Sequence, residues 1–299
     1  MNINKVDTHI IPFEFEYHSP ESLEETVKLL EKYGSEASIL AGGTDLLVNM
    51  KKRITEPKHL VNIKKIAELN GIVETPEGVR IGATTKLRSI EKSEMVRERL
   101  PVLYEAVRLM GSIQVRNMAT IGGNLCNASP AADSAIALLA LDAKTDIIGQ
   151  SGLRSIFLSE FFLGPGKTVL RRGEFLTGLS ISSLPEGSGS SFLKVGRTSM
   201  DIATINIATF LRLRKGVVEN CRIALGAVAP IPLRIFRAED YLKGKAISKD
   251  AVEEAAQIVS EDIKPITDLR ATAEYRRDVS KALTRDALTI SWERAKGRR

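Results

Sequence analysis

Cysteine, histidine and long hydrophobic runs are all scarce in this sequence of 299 residues, and each scarcity excludes a kind of protein. Its two cysteines, Cys126 and Cys221, are too few for an iron–sulfur cluster, which takes about four cysteine ligands. Its three histidines, His9, His18 and His59, show no metal-ligand spacing, so we predict no metal site in this chain. We interpret Cys126 as a small buried side chain rather than as a reactive thiol.

No apolar run approaches the roughly 20 residues that a membrane-spanning helix needs. The first residues of the chain also lack the apolar core of a signal peptide. We therefore expect a cytoplasmic protein with no membrane span, in which both thiols are reduced.

Aromatic residues make up only 5% of the chain, although its net charge is +6. A nucleic-acid surface combines clustered cations with aromatic groups on which bases stack. The basic residues here cluster partly in the tail, 294–299, and no aromatic residues lie between them. The pattern disfavours nucleic acid, and it favours either a solvated helix end or a surface that docks an acidic partner subunit.

The first of two diglycine segments follows a short apolar stretch that reads as a strand. Its glycines predict a tight turn, and Thr44 or Asp45 is a suitable N-cap for a helix behind it. A strand, a glycine turn and a helix N-terminus together present unpaired N–H groups to phosphate oxygens. The segment consists of Ile39, Leu40, Ala41, Gly42, Gly43, Thr44, Asp45 and Leu46.

The second diglycine segment is surrounded by short polar side chains and leads into an apolar run. Pro130 is placed to open a helix with its body at 131–141. Two such turns, each beside a threonine, predict a ligand that carries two phosphates. The candidate residues are Thr120, Ile121, Gly122, Gly123, Asn124, Asn127 and Asp133.

The order of predicted elements indicates an α+β protein of about two domains. A β-α-β start lacks G-x-G-x-x-G, which disfavours a Rossmann dinucleotide site. Gly164-Pro-Gly-Lys-Thr168 fails the P-loop test because Phe161 stands where a glycine is needed, so we predict an ordinary turn. Residues 185–191 are predicted to be a flexible connection, and helices are predicted at 236–242, 249–259 and 273–295.

Taken together, several motifs resemble the FAD-binding medium subunit of the molybdenum hydroxylases. That family includes xanthine dehydrogenase, aerobic carbon monoxide dehydrogenase and 4-hydroxybenzoyl-CoA reductase. The resemblance implies a two-part FAD-binding domain of the PCMH (vanillyl-alcohol-oxidase-like) type, at 1–57 and 58–178, followed by a smaller C-terminal domain of antiparallel sheet plus helices at 179–299. The motifs are Ala41-Gly-Gly-Thr-Asp-Leu-Leu with Met50-Lys51, Gln114-Val-Arg-Asn117, Thr120-Ile-Gly-Gly-Asn124, Ser129-Pro-Ala-Ala-Asp133, and Asp268-Leu-Arg270 with Tyr275-Arg276.

By this resemblance, 39–46 and 120–124 would hold the FAD diphosphate and Asp133 would bind a polar part of the cofactor. Positions that would contact the flavin, or lie beside its ring, are Met110, Leu176, Lys194, Asp201 and Ile202. A cation such as that of Lys194 would stabilise negative charge that develops on reduction. No side chain is expected to act as a nucleophile or as a metal ligand.

Simpler interpretations remain open for some of these residues. Asp133 suits the first turn of a helix regardless of any ligand, and Lys194 could be solvated on its strand. Met110 and Leu176 are of a type found more often in a core than at a cofactor.

Two departures from the family pattern affect the expected function. No cysteine-rich insertion follows Asn124, so the extra iron–sulfur cluster of the 4-hydroxybenzoyl-CoA reductase subunit should be absent. Ile202 stands where carbon monoxide dehydrogenases place an aromatic residue, which disfavours CO as the substrate.

The resemblance implies an electron-transfer subunit that carries FAD. Molybdopterin in a large subunit and [2Fe–2S] clusters in a small subunit would exchange electrons with it, and NAD, a quinone, ferredoxin or oxygen would be the external acceptor. The alternatives are a stand-alone flavin-dependent oxidoreductase and a non-catalytic binding module, perhaps for nucleic acid.

Overall fold

A computed structural model describes residues 11–297, and the prediction about His9 lies outside that range. The first described strands form a three-stranded parallel sheet in the order β1-β3-β2. The strands are β1 (Glu16–His18), β2 (Ala37–Leu40) and β3 (His59–Asn62), and the helices are α1 (Leu23–Tyr33) and α2 (Leu46–Lys51). Two β-α-β crossovers therefore build this part of the molecule, as parallel strands require.

Helix α1 shows how local sequence sets a boundary. Ser22 caps it by accepting the Glu25 N–H at 3.1 Å, and Gly34 ends it with φ +53°. The helix therefore runs from a side-chain cap at Ser22 to a glycine stop at Gly34.

A five-stranded antiparallel sheet follows, in the order β4-β5-β10-β6-β7. Six helices lie between β5 and β6 in the chain, and they bury the largest apolar cluster among the described residues against this sheet. The strands are β4 (Ile72–Thr75), β5 (Gly78–Gly82), β6 (Lys144–Gly149), β7 (Gly152–Phe157) and β10 (Phe175–Ser182), with β8 (Phe162–Gly164) and β9 (Lys167–Thr168) as a separate hairpin. The helices are α3 (Leu87–Lys92), α4 (Glu94–Arg99), α5 (Pro101–Arg108), α6 (Ile113–Met118), α7 (Ile121–Cys126) and α8 (Asp133–Ala140).

The last part of the chain is a four-stranded antiparallel sheet with three helices behind it. Its strands are β11 (Ser188–Val195), β12 (Ile205–Arg214), β13 (Val217–Gly226) and β14 (Leu233–Arg234). Its helices are α9 (Phe236–Leu242), α10 (Lys249–Asp262) and α11 (Ala273–Ala295). Helix α8, entirely buried, packs against β12 and β13 and so joins the second sheet to the third.

The α+β class is confirmed, and α9 and α11 have the predicted bounds. The turn predicted at 164–168 is confirmed, since it connects the two strands of the β8–β9 hairpin. Two local predictions are wrong. Residues 188–191 pair with β12 as part of β11 instead of forming a flexible connection. Helix α8 begins at Asp133, so Pro130 lies in the preceding loop. Among residues 11–297, no helix combines the length and the apolar character that crossing a bilayer requires.

Candidate cofactor-binding site

A cavity of about 610 Å³ lies between the first sheet, α7 and the segment before β10. Its volume is within the range of small-molecule and cofactor sites, roughly 300–1,000 Å³. Most of the predicted cofactor contacts line it. They are Ile39, Ala41, Gly42, Gly43, Thr44, Asp45, Leu46, Thr120, Gly122, Gly123, Asn124, Asn127 and Leu176.

The first diglycine segment is a tight turn, as predicted. Gly43 has φ +77°, a conformation that other residues adopt only with strain. A Cβ on Gly42 would lie 2.8 Å from Ala119 Cα, so this backbone lies directly against the end of α6. Within residues 11–297 the N–H groups of Gly42, Gly43, Thr44 and Asp45 donate no hydrogen bond. The turn therefore presents free donors at the cavity wall, which suit an anion.

The second diglycine segment is not a turn. It forms the short helix α7, capped by Thr120, whose Oγ1 accepts the Gly123 N–H at 3.2 Å. The Gly122 N–H donates to Ala83 O at 2.9 Å, and the Ile121 N–H donates to Thr85 O at 3.0 Å. Since these donors already have partners, the expectation of bare amides at this segment is wrong. Because its glycines have no side chains, the backbone of α7 itself forms this part of the cavity wall.

Gly122 and Gly123 differ in what surrounds them. A Cβ on Gly122 would lie 2.7 Å from both Cβ and O of Ala83, so packing inside the protein requires this glycine. A Cβ on Gly123 would meet only Thr120 Oγ1, at 2.9 Å, and Gly123 is exposed at the cavity. A side chain at position 123 would thus fill space available to a ligand.

Several lining residues were missed by sequence reasoning. Arg171 and Arg172 stand beside the cavity, and the only signal in the sequence was this basic pair before Gly173. Glu174 lines the same wall and forms a bidentate ion pair with Arg154, with N–O distances of 2.7 and 2.9 Å. The two guanidinium groups of the basic pair add positive charge to the lining of this cavity.

Cys126 also lines the cavity and is exposed, so its interpretation as a buried side chain is wrong. It follows the exposed Gly123 by three residues on α7. Successive turns of a helix place such residues on the same face.

Asp133 and Lys194 lie outside the set that lines the cavity. Lys194 Nζ is 2.7 Å from Asp133 Oδ2, and Asn206 Nδ2 donates to Asp133 Oδ1 at 2.5 Å. Burial raises the pKa of the Asp133 carboxyl, and the ammonium of Lys194 opposes that shift. Because the carboxylate balances its charge, Lys194 exerts a weaker field on its surroundings than a lone cation would.

The remaining predicted contacts are distributed over three environments. Leu40, Ile121 and Met110 are buried in apolar clusters, although Lys194 also donates to Leu109 O, next to Met110, at 3.1 Å. Asp201 pairs with Arg197 at 2.6 Å, and Ile202 is 51% exposed. The structure thus brings together most of the residues predicted to hold the diphosphate, whereas Met110, Lys194, Asp201 and Ile202 lie outside that cavity wall.

Comparison with known proteins gives consistent matches along the chain. Residues 13–183 match the family profile described as "FAD binding domain in molybdopterin dehydrogenase", and residues 190–290 match "CO dehydrogenase flavoprotein C-terminal domain". The chain is 38% identical over 285 residues to the carbon monoxide dehydrogenase medium chain of Hydrogenophaga pseudoflava, and this alignment covers 95% of this chain and 99% of that one. The xanthine dehydrogenase FAD-binding subunit of Escherichia coli O157:H7 is 33% identical over 285 residues, with coverages of 94% and 97%.

A solved structure agrees with these sequence matches. Carbon monoxide dehydrogenase from Hydrogenophaga pseudoflava, in a form that lacks the Mo-pyranopterin moiety of its cofactor, aligns with a TM-score of 0.92 at 39% identity. The alignment covers 95% of this chain and 99% of that one. The likeness therefore extends over almost the whole chain.

Proposed function

The chain belongs to the family of FAD-binding subunits of molybdopterin dehydrogenases, and from this we propose that it is the FAD-carrying medium subunit of a multi-subunit molybdenum hydroxylase. In that role it is part of an oxidoreductase in which electrons pass between iron–sulfur clusters of a partner subunit and an external acceptor. The observation that carries the proposal is the set of free N–H groups from Gly42 to Asp45 at the wall of a cofactor-sized cavity.

The chemistry of this cavity fits FAD. The free amides of the Gly42–Gly43 turn suit the oxygens of the diphosphate, and the Arg171–Arg172 pair adds positive charge to the same cavity. The glycine at 123 leaves the backbone accessible at the opposite wall. By the family resemblance we assign the remaining predicted contacts, Met110, Leu176, Lys194, Asp201 and Ile202, to the flavin end. Two of them lie near each other, because Lys194 donates to Leu109 O beside Met110.

FAD, when bound, supplies the electron-transfer chemistry, and the protein supplies its position and electrostatic surroundings. The turn at Gly42 and Gly43 holds an anion without any side-chain charge. Thr120 keeps α7 folded at the cavity, because its hydroxyl satisfies the Gly123 N–H. No group among these residues has to move a proton, so the chain acts by binding and orienting.

We propose a large molybdopterin subunit and a small iron–sulfur subunit as the partners. Val115 and Met118, three residues apart on α6, are 43% and 49% exposed, and the Met118 carbonyl lies against Gly42. An exposed apolar pair so close to the glycine turn supports docking of an electron-transfer partner there. The external acceptor in this proposal is NAD, a quinone, ferredoxin or oxygen.

Other features of the proposal come from the sequence alone. They are a cytoplasmic location and the three-part division at 57 and 178. The substrate is not assigned, because the two relatives named above are dehydrogenases of carbon monoxide and of xanthine.

Gly123→Val tests the site. The natural full-length chain should bind FAD stoichiometrically and be yellow, whereas the variant should fold but lose the colour, because its side chain fills the cavity. Gly164→Val is the matched control, since a Cβ on Gly164 has no atom within 4 Å. Full flavin occupancy in Gly123→Val, with an unchanged circular dichroism spectrum, would disprove the assignment.

Isolation from the source cells distinguishes the subunit from a stand-alone flavin oxidoreductase. The proposal predicts co-purification with a larger chain that contains molybdenum and a smaller chain that contains iron. It also predicts that this chain alone oxidises no organic substrate. Turnover of such a substrate by the isolated chain would favour the stand-alone enzyme. Flavin-free protein whose binding to nucleic acid collapses with salt would favour the binding module.

A further inference from the structure

A cluster of two imidazoles and a carboxylate lies on the first sheet, apart from the cavity. The parallel pairing of β1 and β3 places Glu16 opposite His59 and His18 opposite Val61. Glu16 and His18 are two residues apart on one strand, so their side chains leave the same face of the sheet. His59 reaches that face from the neighbouring strand. Sequence spacing did not reveal the cluster, because 41 residues separate the two histidines.

Three potential ligand atoms meet at this point. His18 Nε2 is 3.2 Å from His59 Nδ1, and Glu16 Oε2 is 3.3 Å from His59 Nδ1 and 3.7 Å from His18 Nε2. Two nitrogens bound tetrahedrally to Zn²⁺ at 2.0–2.1 Å lie about 3.3 Å apart. The triangle of atoms therefore has the size of one face of a zinc tetrahedron.

We propose that Glu16, His18 and His59 form a three-ligand site for a divalent transition metal of the Zn²⁺ class. Imidazole nitrogen with a carboxylate is a donor set that such ions bind in proteins. Binding needs both facing nitrogens without a proton, so the imidazole that now donates must carry its proton on its other nitrogen. The site is distinct from the proposed FAD function and does not depend on it.

The two imidazoles are partly buried, and packing holds them in an orientation suited to a metal. The side chains of His18 and His59 are 19% and 12% exposed, whereas that of Glu16 is 68% exposed. Tyr33 stacks on both rings, at a centroid distance of 3.5 Å from His59 and 5.1 Å from His18. The stack fixes the ring orientations, and the exposed carboxylate side provides an entry path and a position for water as the fourth ligand.

The position of the site indicates what the metal does. Strand β1 has only three residues and lies at the edge of its sheet. A metal bridging Glu16 and His18 to His59 joins this strand to β3. His59 also pairs with Ala37 at the start of β2, and Ala37 lines the cavity. Glu16, His18 and His59 themselves do not line it, so the metal stabilises the N-terminal strand from outside the cavity.

Titration of the metal-stripped full-length chain with ZnCl₂ tests the proposal by calorimetry. We expect one Zn²⁺ per chain, and we expect CoCl₂ to give the visible absorption of tetrahedral Co²⁺. His18→Gln and His59→Gln should each weaken binding about 100-fold or more, and Glu16→Gln about tenfold. Glu24→Gln, which removes an exposed carboxylate elsewhere on the same part of the chain, should leave binding unchanged.

A second measurement keeps the test decisive if one variant folds poorly. Zn²⁺ should raise the melting temperature of the natural chain but not that of His18→Gln, while both retain the same flavin content. All titrations are repeated in a Cys126→Ser background, because that exposed thiol is another ligand for zinc. Zinc binding that persists in the His18→Gln/His59→Gln double variant, or no zinc binding by the natural chain, overturns the proposal.

Discussion

The ammonium of Lys194 lies 2.7 Å from the carboxylate of Asp133, and both side chains are only 7% exposed. Asp133 opens α8 in the part of the chain that forms the cavity, and Lys194 lies on β11 in the last sheet. This buried ion pair therefore links two parts of the fold, with Asn206 completing the hydrogen bonding of the carboxylate. A buried charge whose partner is removed stays desolvated and uncompensated.

Asp133→Asn should lower the free energy of unfolding by about 3 kcal/mol, because it leaves Lys194 buried without a counter-charge. Lys194→Met should have a similar cost, and the double variant should lose much less than the sum of the two. Urea denaturation of all three variants measures the coupling. Lys28→Met is the control, because its pair with Glu24 is exposed and its loss should not be measurable. Additive effects would show that the pair does not couple the two parts.

Elements could be predicted from the sequence where the residues that determine them lie close together in the chain. The bounds of α11 could be predicted because Thr272 caps it and its buried residues recur at helical spacing. The turn at Gly42 and Gly43 was predictable for the same reason, since two adjacent glycines strongly favour it. The contacts between these elements were harder to predict from the sequence.

Predictions failed where distant segments decide the structure. The second diglycine became a helix because Ala83 and Thr85, nearly 40 residues earlier, accept its first N–H groups. The pairing of β1 with β3, which assembles the histidine cluster, also depends on contacts between distant residues. Exposure of Cys126 likewise follows from the position of α7 at a cavity that the sequence does not reveal.

Removal of the Thr120 cap should affect both stability and flavin binding. Thr120→Val takes away the acceptor of the Gly123 N–H and should cost about 1 kcal/mol of stability. Because α7 forms a cavity wall, FAD should also dissociate more readily. Ser248→Ala is the matched control, since Ser248 caps α10 in the same way but far from the cavity. Equal flavin affinity in the two variants, measured by fluorescence titration, would contradict a role for α7 at the cofactor.

Gly42→Ala should displace the turn that carries the free amides. Its Cβ would collide with backbone atoms of Met118 and Ala119, which cannot rotate away as a side chain would. We expect a loss of about 1–3 kcal/mol in stability together with a large loss of flavin occupancy. Gly164→Ala, where the added methyl group meets no atom within 4 Å, should change neither. A Gly42→Ala chain that keeps its full flavin content would show that this turn does not contact the diphosphate.

Acid should weaken the cavity wall through Glu174. A hydrogen-bonded ion pair with Arg154, together with the Arg171 N–H at 2.8 Å, holds the pKa of the Glu174 carboxyl below its ordinary value. The unfolded chain therefore binds this proton more readily than the folded chain. The resulting stability is fully present above the unfolded pKa, near 4.3 for glutamate, and is lost as the pH falls through the lower folded value.

Glu174→Gln should therefore destabilise the protein by about 1–2 kcal/mol at pH 7, because it removes charge-assisted hydrogen bonds. Between about pH 5 and 3 its stability should fall less steeply than that of the natural chain, since the titrating group is gone. Denaturation curves at a series of pH values measure both effects. Glu68→Gln, at an exposed position with no ion pair within residues 11–297, should keep the steep natural profile. If the profile of Glu174→Gln is as steep as this control, the acid sensitivity arises from other carboxylates.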